Sequence, residues 1–79
     1  MKILGLYNDL TYDYVDYILT ELASLGHETI SSNITDYTGN IEIGGAPTFF
    51  IIKSDLPAYP LQGKQDLQTV INWVEASGL

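Results

Sequence analysis

The chain has 79 residues, no cysteine, a single histidine and ten acidic residues against three lysines, for a formal net charge of −7. Without a thiol there is no disulfide, no thiolate metal site and no thiol chemistry, and one histidine is too few for an ordinary zinc site. The negative charge opposes nucleic-acid binding, because affinity for a phosphate backbone comes from lysine and arginine.

Length and composition indicate one small globular domain over residues 1–79. The hydrophobic share of 46 % and the charged share of 16 % are ordinary for a folded protein. The apolar run after Lys2 is too short for a signal peptide, and no run approaches the roughly 20 apolar residues of a membrane span. We therefore expect a cytoplasmic protein with neither a nucleic-acid nor a membrane partner.

The first half of the chain predicts a strand, a helix and a second strand. "KILGLY", residues 2–7, is nearly continuous in apolar residues, which favours a central strand covered on both faces. The next helix is predicted to be capped by the Thr11 hydroxyl and ended by Gly26, before strand "HETISS", residues 27–32. Its apolar stripe consists of Val15, Ile18, Leu19, Leu22 and Leu25. This order fits a right-handed parallel crossover.

The second half predicts a hairpin followed by a helix. Residues 33–45 are rich in turn formers and leave no room for a long helix. "PTFFIIKS", residues 47–54, and "AYPLQG", residues 58–63, read as strands joined by a turn over residues 54–57. From about Lys64 a helix follows, with Leu67, Val70, Ile71 and Val74 on one stripe. The prediction is an α/β chain, α+β in some schemes, with a four-stranded mixed sheet and two main helices.

Three segments resemble the glutaredoxin family in the right order: "YNDLTYDYVDYILTELASLGH", "GAPTFFI" and "QGKQDL". The family reads Tyr-Thr-Lys, two residues and Cys-Pro-Tyr-Cys before an apolar helix that ends in Leu-Gly-His, and its two cysteine positions fall on Tyr12 and Val15. The resemblance implies a thioredoxin-like fold with a cis-proline bond between Ala46 and Pro47. It also implies a trimmed middle helix, because the family's second helix has no space before Pro47.

Glutaredoxin exchange needs a thiolate at a helix N-terminus, and Tyr12 and Val15 supply none. We therefore expect no thiol–disulfide oxidoreductase activity, no enzyme of that class and no cofactor. The family's lysine that faces the glutathione carboxylate falls on Asp9. With Asp13 and Asp16 on the adjoining helix start, an anionic ligand would meet the wrong sign of charge.

The resemblance implies that two ligand-binding features persist. The main chain at Ala46, ahead of Pro47, would pair with an extended peptide. Gln65 and Asp66, at the start of the last helix, would meet an ammonium group. These features leave open an alternative function, in which the cleft serves a small-molecule binding protein or an enzyme that handles glutathione-like or other ligands by non-thiol chemistry.

Two further groups of residues are explained more simply than as functional sites. Asp9, Asp13 and Asp16 carry the oxygen ligands of a hard cation but lack the glycine and closing glutamate of an EF-hand loop, which favours a solvated acidic helix start. His27 follows the helix-ending glycine and has no nucleophile in reach, which favours a surface role. We expect no metal site and no catalytic residue.

Six tyrosines in 79 residues are the remaining anomaly. Tyr12 stands where the family exposes a residue to its partners, and exposed tyrosines are enriched in protein interfaces. Our hypothesis is that Tyr12, Asp13 and the Ala46–Pro47 loop form a protein-binding face.

The leading function is therefore a redox-inactive glutaredoxin-like domain that acts as a protein-binding or structural module. Small glutaredoxin-like chains are common in bacteriophage genomes, so the resemblance implies a phage accessory or virion component. A third possible function is that of a regulator that mimics a thioredoxin-type substrate-binding surface without turnover. Two edge strands leave homo-oligomerisation open.

Overall fold

The computed structural model describes residues 1–34, 47–54 and 56–77. In chain order its elements are β1 (Lys2–Tyr7), α1 (Tyr12–Ser24), β2 (Glu28–Asn33), β3 (Thr48–Lys53), β4 (Leu56–Gln62) and α2 (Leu67–Ser77). The strands form one sheet in the order β2-β1-β3-β4, with β2 parallel to β1 and the other neighbours antiparallel. The predicted four-stranded mixed sheet with two helices is confirmed, and this α+β arrangement is compatible with a thioredoxin-like fold.

β1 occupies the predicted central position, and its residues from Ile3 to Leu6 are buried. On one face of the sheet both helices pack over a core made of Ile3, Val15, Ile18, Leu19, Leu22, Phe49, Ile51, Val70 and Val74. On the other face Leu4, Leu6 and Phe50 form a second buried cluster. Residues 35–46, where the trimmed middle helix was predicted, lie outside the described part of the chain.

Gly5 lets α1 lie close against the centre of the sheet. A Cβ atom at this position would stand 2.9 Å from Val15 Cγ1, 3.0 Å from Leu19 Cδ1 and 3.1 Å from a Phe49 ring carbon. These distances are too short for ordinary van der Waals contact. The absence of a side chain at Gly5 therefore sets the spacing between β1 and α1.

The predicted cap at the start of α1 is wrong in its chemistry, although Thr11 does occupy the N-cap position. The Thr11 hydroxyl makes no capping bond to the helix. It instead accepts a hydrogen bond from the Asn8 main-chain N–H at 2.9 Å and lies 3.0 Å from Asn8 Oδ1. Thr11 therefore closes the turn that leaves β1.

The end of α1 follows the prediction at Gly26 and departs from it at Leu25. Gly26 has φ of +97°, its N–H donates to Ala23 O, and the His27 N–H donates to Leu22 O. This is the Schellman arrangement, which favours glycine at the left-handed position. Leu25, predicted to lie on the apolar stripe, is the C-cap residue and is 58 % exposed. The chain turns away there before the stripe can continue.

The β3–β4 hairpin is tighter than predicted. Lys53 pairs with Leu56, so Leu56 and Pro57 belong to β4 and not to the turn. The register shifts between Phe49 and Ile51, where Tyr59 has φ of +54°. This bulge adds a residue to β4.

α2 begins at Leu67, three residues later than predicted from Lys64. The Trp73 indole N–H on α2 donates to the Tyr59 carbonyl at 3.0 Å, so this helix holds the β4 bulge. Among the residues that the structure describes, neither helix has the length and apolar character to cross a membrane.

Candidate functional site

Six element ends lie at the carboxyl end of β1. β1 and β2 both end there, β3 begins there and β4 returns to it, because their pairing alternates in direction. α1 and α2 both start at this end, immediately after β1 and β4. Of the predicted site residues, Asp9, Tyr12, Asp13, Pro47, Gln65 and Asp66 lie on the described segments at this end; we name this set the helix-start face. Ala46 lies outside the described residues.

Two tyrosines form an aromatic pair on the helix-start face. The Tyr12 ring meets the Tyr7 ring edge-on, with centroids 5.0 Å apart and planes at 79°. Tyr12 is 49 % exposed. Leu6, next to Tyr7, pairs with Thr48, the residue after Pro47. The pairing therefore brings the aromatic pair and Pro47 to the same end of the sheet.

Pro47 is buried and tied to the segment before α2. Its carbonyl accepts a hydrogen bond from the Gly63 N–H at 2.9 Å. Gly63 has φ of +86°, a left-handed conformation that glycine adopts without strain. This contact joins the start of β3 to the chain that leads into α2.

Tyr14 connects α1 to the segment before α2 by a hydrogen bond, a role that the sequence did not predict. Its hydroxyl donates to the main-chain carbonyl of Gln65, and its ring meets the Phe49 ring at 6.1 Å. Lys64 Nζ lies 6.0 Å from the Tyr14 ring centroid. Burial raises the pKa of Tyr14 above its usual value, and the nearby Asp66 charge adds to the rise.

Gln65 and Asp66 shape the start of α2. The Gln65 side-chain amide donates to the Gln62 carbonyl at 3.1 Å. Asp66 Oδ1 accepts the Thr69 N–H at 2.8 Å, so Asp66 is the N-cap of the helix. Hydrogen bonds from Thr69 hold the pKa of the Asp66 carboxyl below its usual value. The Asp66 side chain is exposed and keeps its charge on the helix-start face.

The helix-start face is acidic. Asp9, Asp13 and Asp66 are exposed, and Lys64 is the lysine at this end of the sheet. Lys2 and Lys53 stand at the opposite end, at the start of β1 and the end of β3. Positive charge is thus concentrated away from the candidate site.

The other predicted constellations do not assemble a site. No group of three His, Asp or Glu side chains able to hold a metal ion occurs in residues 1–34, 47–54 and 56–77, and these ranges include Asp9, Asp13 and Asp16. His27 lies at the opposite end of the sheet, with Nδ1 3.3 Å from the amino group of Met1. His27 therefore does not belong to the helix-start face.

Comparisons of the chain with protein-family models, curated proteins and solved structures found no match. The fold class therefore rests on the sheet topology and the placement of the two helices. The glutaredoxin resemblance stays a prediction carried by three sequence segments.

Proposed function

We propose that this chain is a redox-inactive, glutaredoxin-like protein-binding or structural module whose contact surface is the helix-start face. The observation that carries the proposal is Tyr12, an exposed aromatic side chain at the position where the resemblance puts a reactive cysteine. The chain has no cysteine. By resemblance we extend the proposal to a bacteriophage accessory or virion component.

The geometry of Tyr12 suits a protein contact. A tyrosine offers apolar area with a polar tip, and such side chains carry much of the binding energy in interfaces. The edge-on contact with Tyr7 restrains the ring before binding. A restrained side chain loses less conformational entropy when a partner covers it, so affinity is gained without new contacts.

The charge of the face sets the kind of partner. Asp9, Asp13 and Asp66 are exposed on the helix-start face. An acidic surface attracts a basic partner surface and raises the association rate at low salt. We therefore expect a partner with lysine or arginine at the contact, and a complex whose association slows as ionic strength rises.

The same charge argues against an anionic small ligand. Glutathione carries two carboxylates, and Asp9 stands where the resemblance places the lysine that would face one of them. Isothermal titration of the wild type with millimolar reduced or oxidised glutathione should show no saturable binding. Asp9→Lys should strengthen any weak binding that the wild type retains. Saturable binding that Asp9→Lys leaves unchanged would contradict this electrostatic argument.

Affinity capture from the native host tests the protein-binding proposal. Tyr17 lies on the same helix with the same exposure, 50 % against 49 % for Tyr12, and provides a matched control. A stoichiometric partner captured by the wild type should be kept by Tyr17→Ala and lost by Tyr12→Ala, with thermal melting nearly unchanged in both. Retention of the partner by Tyr12→Ala would contradict the proposal, and a collapse of stability would show that Tyr12 is a core residue.

A further inference from the structure

The two outer strands of the sheet differ in how far they are protected from pairing with another chain. β4 carries Pro57 and Pro60 and a bulge at Tyr59, and both features discourage an added strand. β2 has no proline, pairs with β1 in continuous register, and carries one charged residue, Glu28. β2 is therefore the open edge among the described strands.

The hydrogen-bonding direction of β2 follows from one contact. The Glu28 N–H donates to the Met1 carbonyl at 2.8 Å, so Glu28 turns its main-chain groups toward β1. Because this direction alternates along a strand, Ile30 and Ser32 also face β1, whereas Thr29 and Ser31 face outward. No described strand pairs with that outer side.

The side chains of β2 add an apolar contact at its centre. Ile30 pairs with Leu4, so it lies on the sheet face away from the helices, and it is 40 % exposed. Its neighbours Thr29 and Ser31 lie on the helix-bearing face. Ile30 is thus an exposed isoleucine between two residues whose main-chain groups point outward. Two copies of this pattern match each other when their β2 strands run antiparallel.

We propose that a second copy of this chain adds to the sheet by antiparallel pairing of β2 with β2. The two-fold axis passes between the two Ile30 residues. Thr29 of each chain exchanges main-chain hydrogen bonds with Ser31 of the other, and the Ile30 side chains meet in the non-hydrogen-bonded pair between them. The axis is perpendicular to the sheet, so the dimer has a continuous sheet of twice the four described strands, with α1 and α2 of both copies on the same side.

The charges on β2 are compatible with this antiparallel register, and the net charge of the chain predicts how salt affects dimerisation. Glu28 of one chain lies opposite Ser32 of the other, so like charges do not face each other across the interface. The net charge of −7 on each chain still repels the second copy at longer range. Screening by salt reduces this repulsion, so dimerisation should strengthen as ionic strength rises.

Single cysteines test both the contact and its register, because the chain has no other thiol. Opposite residues in a non-hydrogen-bonded pair have Cα atoms about 4.5 Å apart, within disulfide range. Ile30→Cys should therefore oxidise rapidly to a covalent dimer. Ser32→Cys lies two residues from the axis, which separates its thiols by more than about 10 Å, and Leu56→Cys lies on β4; both should oxidise far more slowly. Equal rates in the three variants would overturn the proposal.

Sedimentation equilibrium of the cysteine-free chain supplies the second test. The wild type should show a monomer–dimer equilibrium that Ile30→Lys weakens at least tenfold, although the added lysine lowers the overall repulsion. Leu56→Lys makes the same charge change at a residue 68 % exposed on β4 and should leave the equilibrium unchanged. A wild type that stays monomeric at high salt and high concentration would overturn the proposal. Loss of the dimer would leave the helix-start face intact, so the two proposals fail separately.

Discussion

The Tyr14 hydroxyl on α1 donates a hydrogen bond to the main-chain carbonyl of Gln65, 51 residues further along the chain. This bond joins the starts of the two helices, and the Pro47–Gly63 bond joins the start of β3 to the same segment. The helix-start face is therefore held by specific polar contacts as well as by the apolar core.

Removing the Tyr14 hydroxyl should destabilise the protein. The remaining phenyl ring can still pack against the core. Tyr14→Phe leaves the Gln65 carbonyl without its partner, which costs about 0.5–1.5 kcal/mol. Chemical denaturation followed by the fluorescence of Trp73, the one tryptophan, measures the change in unfolding free energy. Tyr17→Phe, on the exposed side of the same helix, should change it little.

Tyr14→Phe should also change how the free energy of unfolding depends on pH in the alkaline range. Because burial raises the pKa of Tyr14 in the folded state, its contribution to stability is complete below about pH 10 and is lost as pH rises through the folded pKa. The difference in unfolding free energy between wild type and Tyr14→Phe should therefore shrink in that range. A difference that grows with pH would contradict this assignment.

Gly5→Ala should destabilise the domain by overpacking. The new methyl group would stand within 2.9 Å of Val15 Cγ1, so α1 must shift or the side chains must leave their preferred rotamers. Such changes typically cost about 1–3 kcal/mol. Val15→Ala should relieve part of the clash, so the double variant should lose less stability than the sum of the single changes. Additive losses would show that the two positions do not touch.

Ser54→Gly in the β3–β4 turn should stabilise the protein. Ser54 has φ of +50°, a left-handed conformation that costs a non-glycine residue about 1–2 kcal/mol. Glycine adopts it freely, although part of the gain is offset by the entropy of the unfolded chain. We expect a net gain of up to about 1 kcal/mol in urea denaturation. Ser31→Gly in β2, which has no positive φ, should instead lower stability.

Asp66→Asn should remove an acid-sensitive contribution to stability. The pKa of Asp66 is held below its usual value by Thr69, so its contribution is present above about pH 4 and is lost as pH falls through the folded pKa. Asparagine also caps helices well, so the helix should remain. Thermal melts of the two proteins should converge as pH falls. Melting temperatures that fall in parallel for the two proteins as pH is lowered would contradict the cap assignment.

Local periodicity was sufficient to predict the elements with strong patterns. β1 has the predicted bounds, and Val15, Ile18, Leu19 and Leu22 form the predicted buried stripe. The errors lie where backbone geometry depends on neighbours. Thr11 finds an Asn8 partner in the turn, and Leu25 leaves the stripe because the chain reverses at Gly26.

The contacts that shape the candidate site join segments far apart in the chain. The bond of Tyr14 to Gln65 and that of Trp73 to Tyr59 carry no local signature, so no pattern of spacing could reveal them. The close approach at Gly5 depends on the helix that covers it. The sequence could predict that Tyr12 lies at the start of α1, whereas its pairing with Tyr7 needed the fold.

A photo-crosslinking amino acid at position 12 or 17 tests the central claim most directly, because both side chains are about half exposed on one helix. If the helix-start face is the contact surface, irradiation in the native host should link one defined protein to position 12 and leave position 17 unlinked. Crosslinks to that protein from position 17 with none from position 12 would place the contact elsewhere and contradict the account.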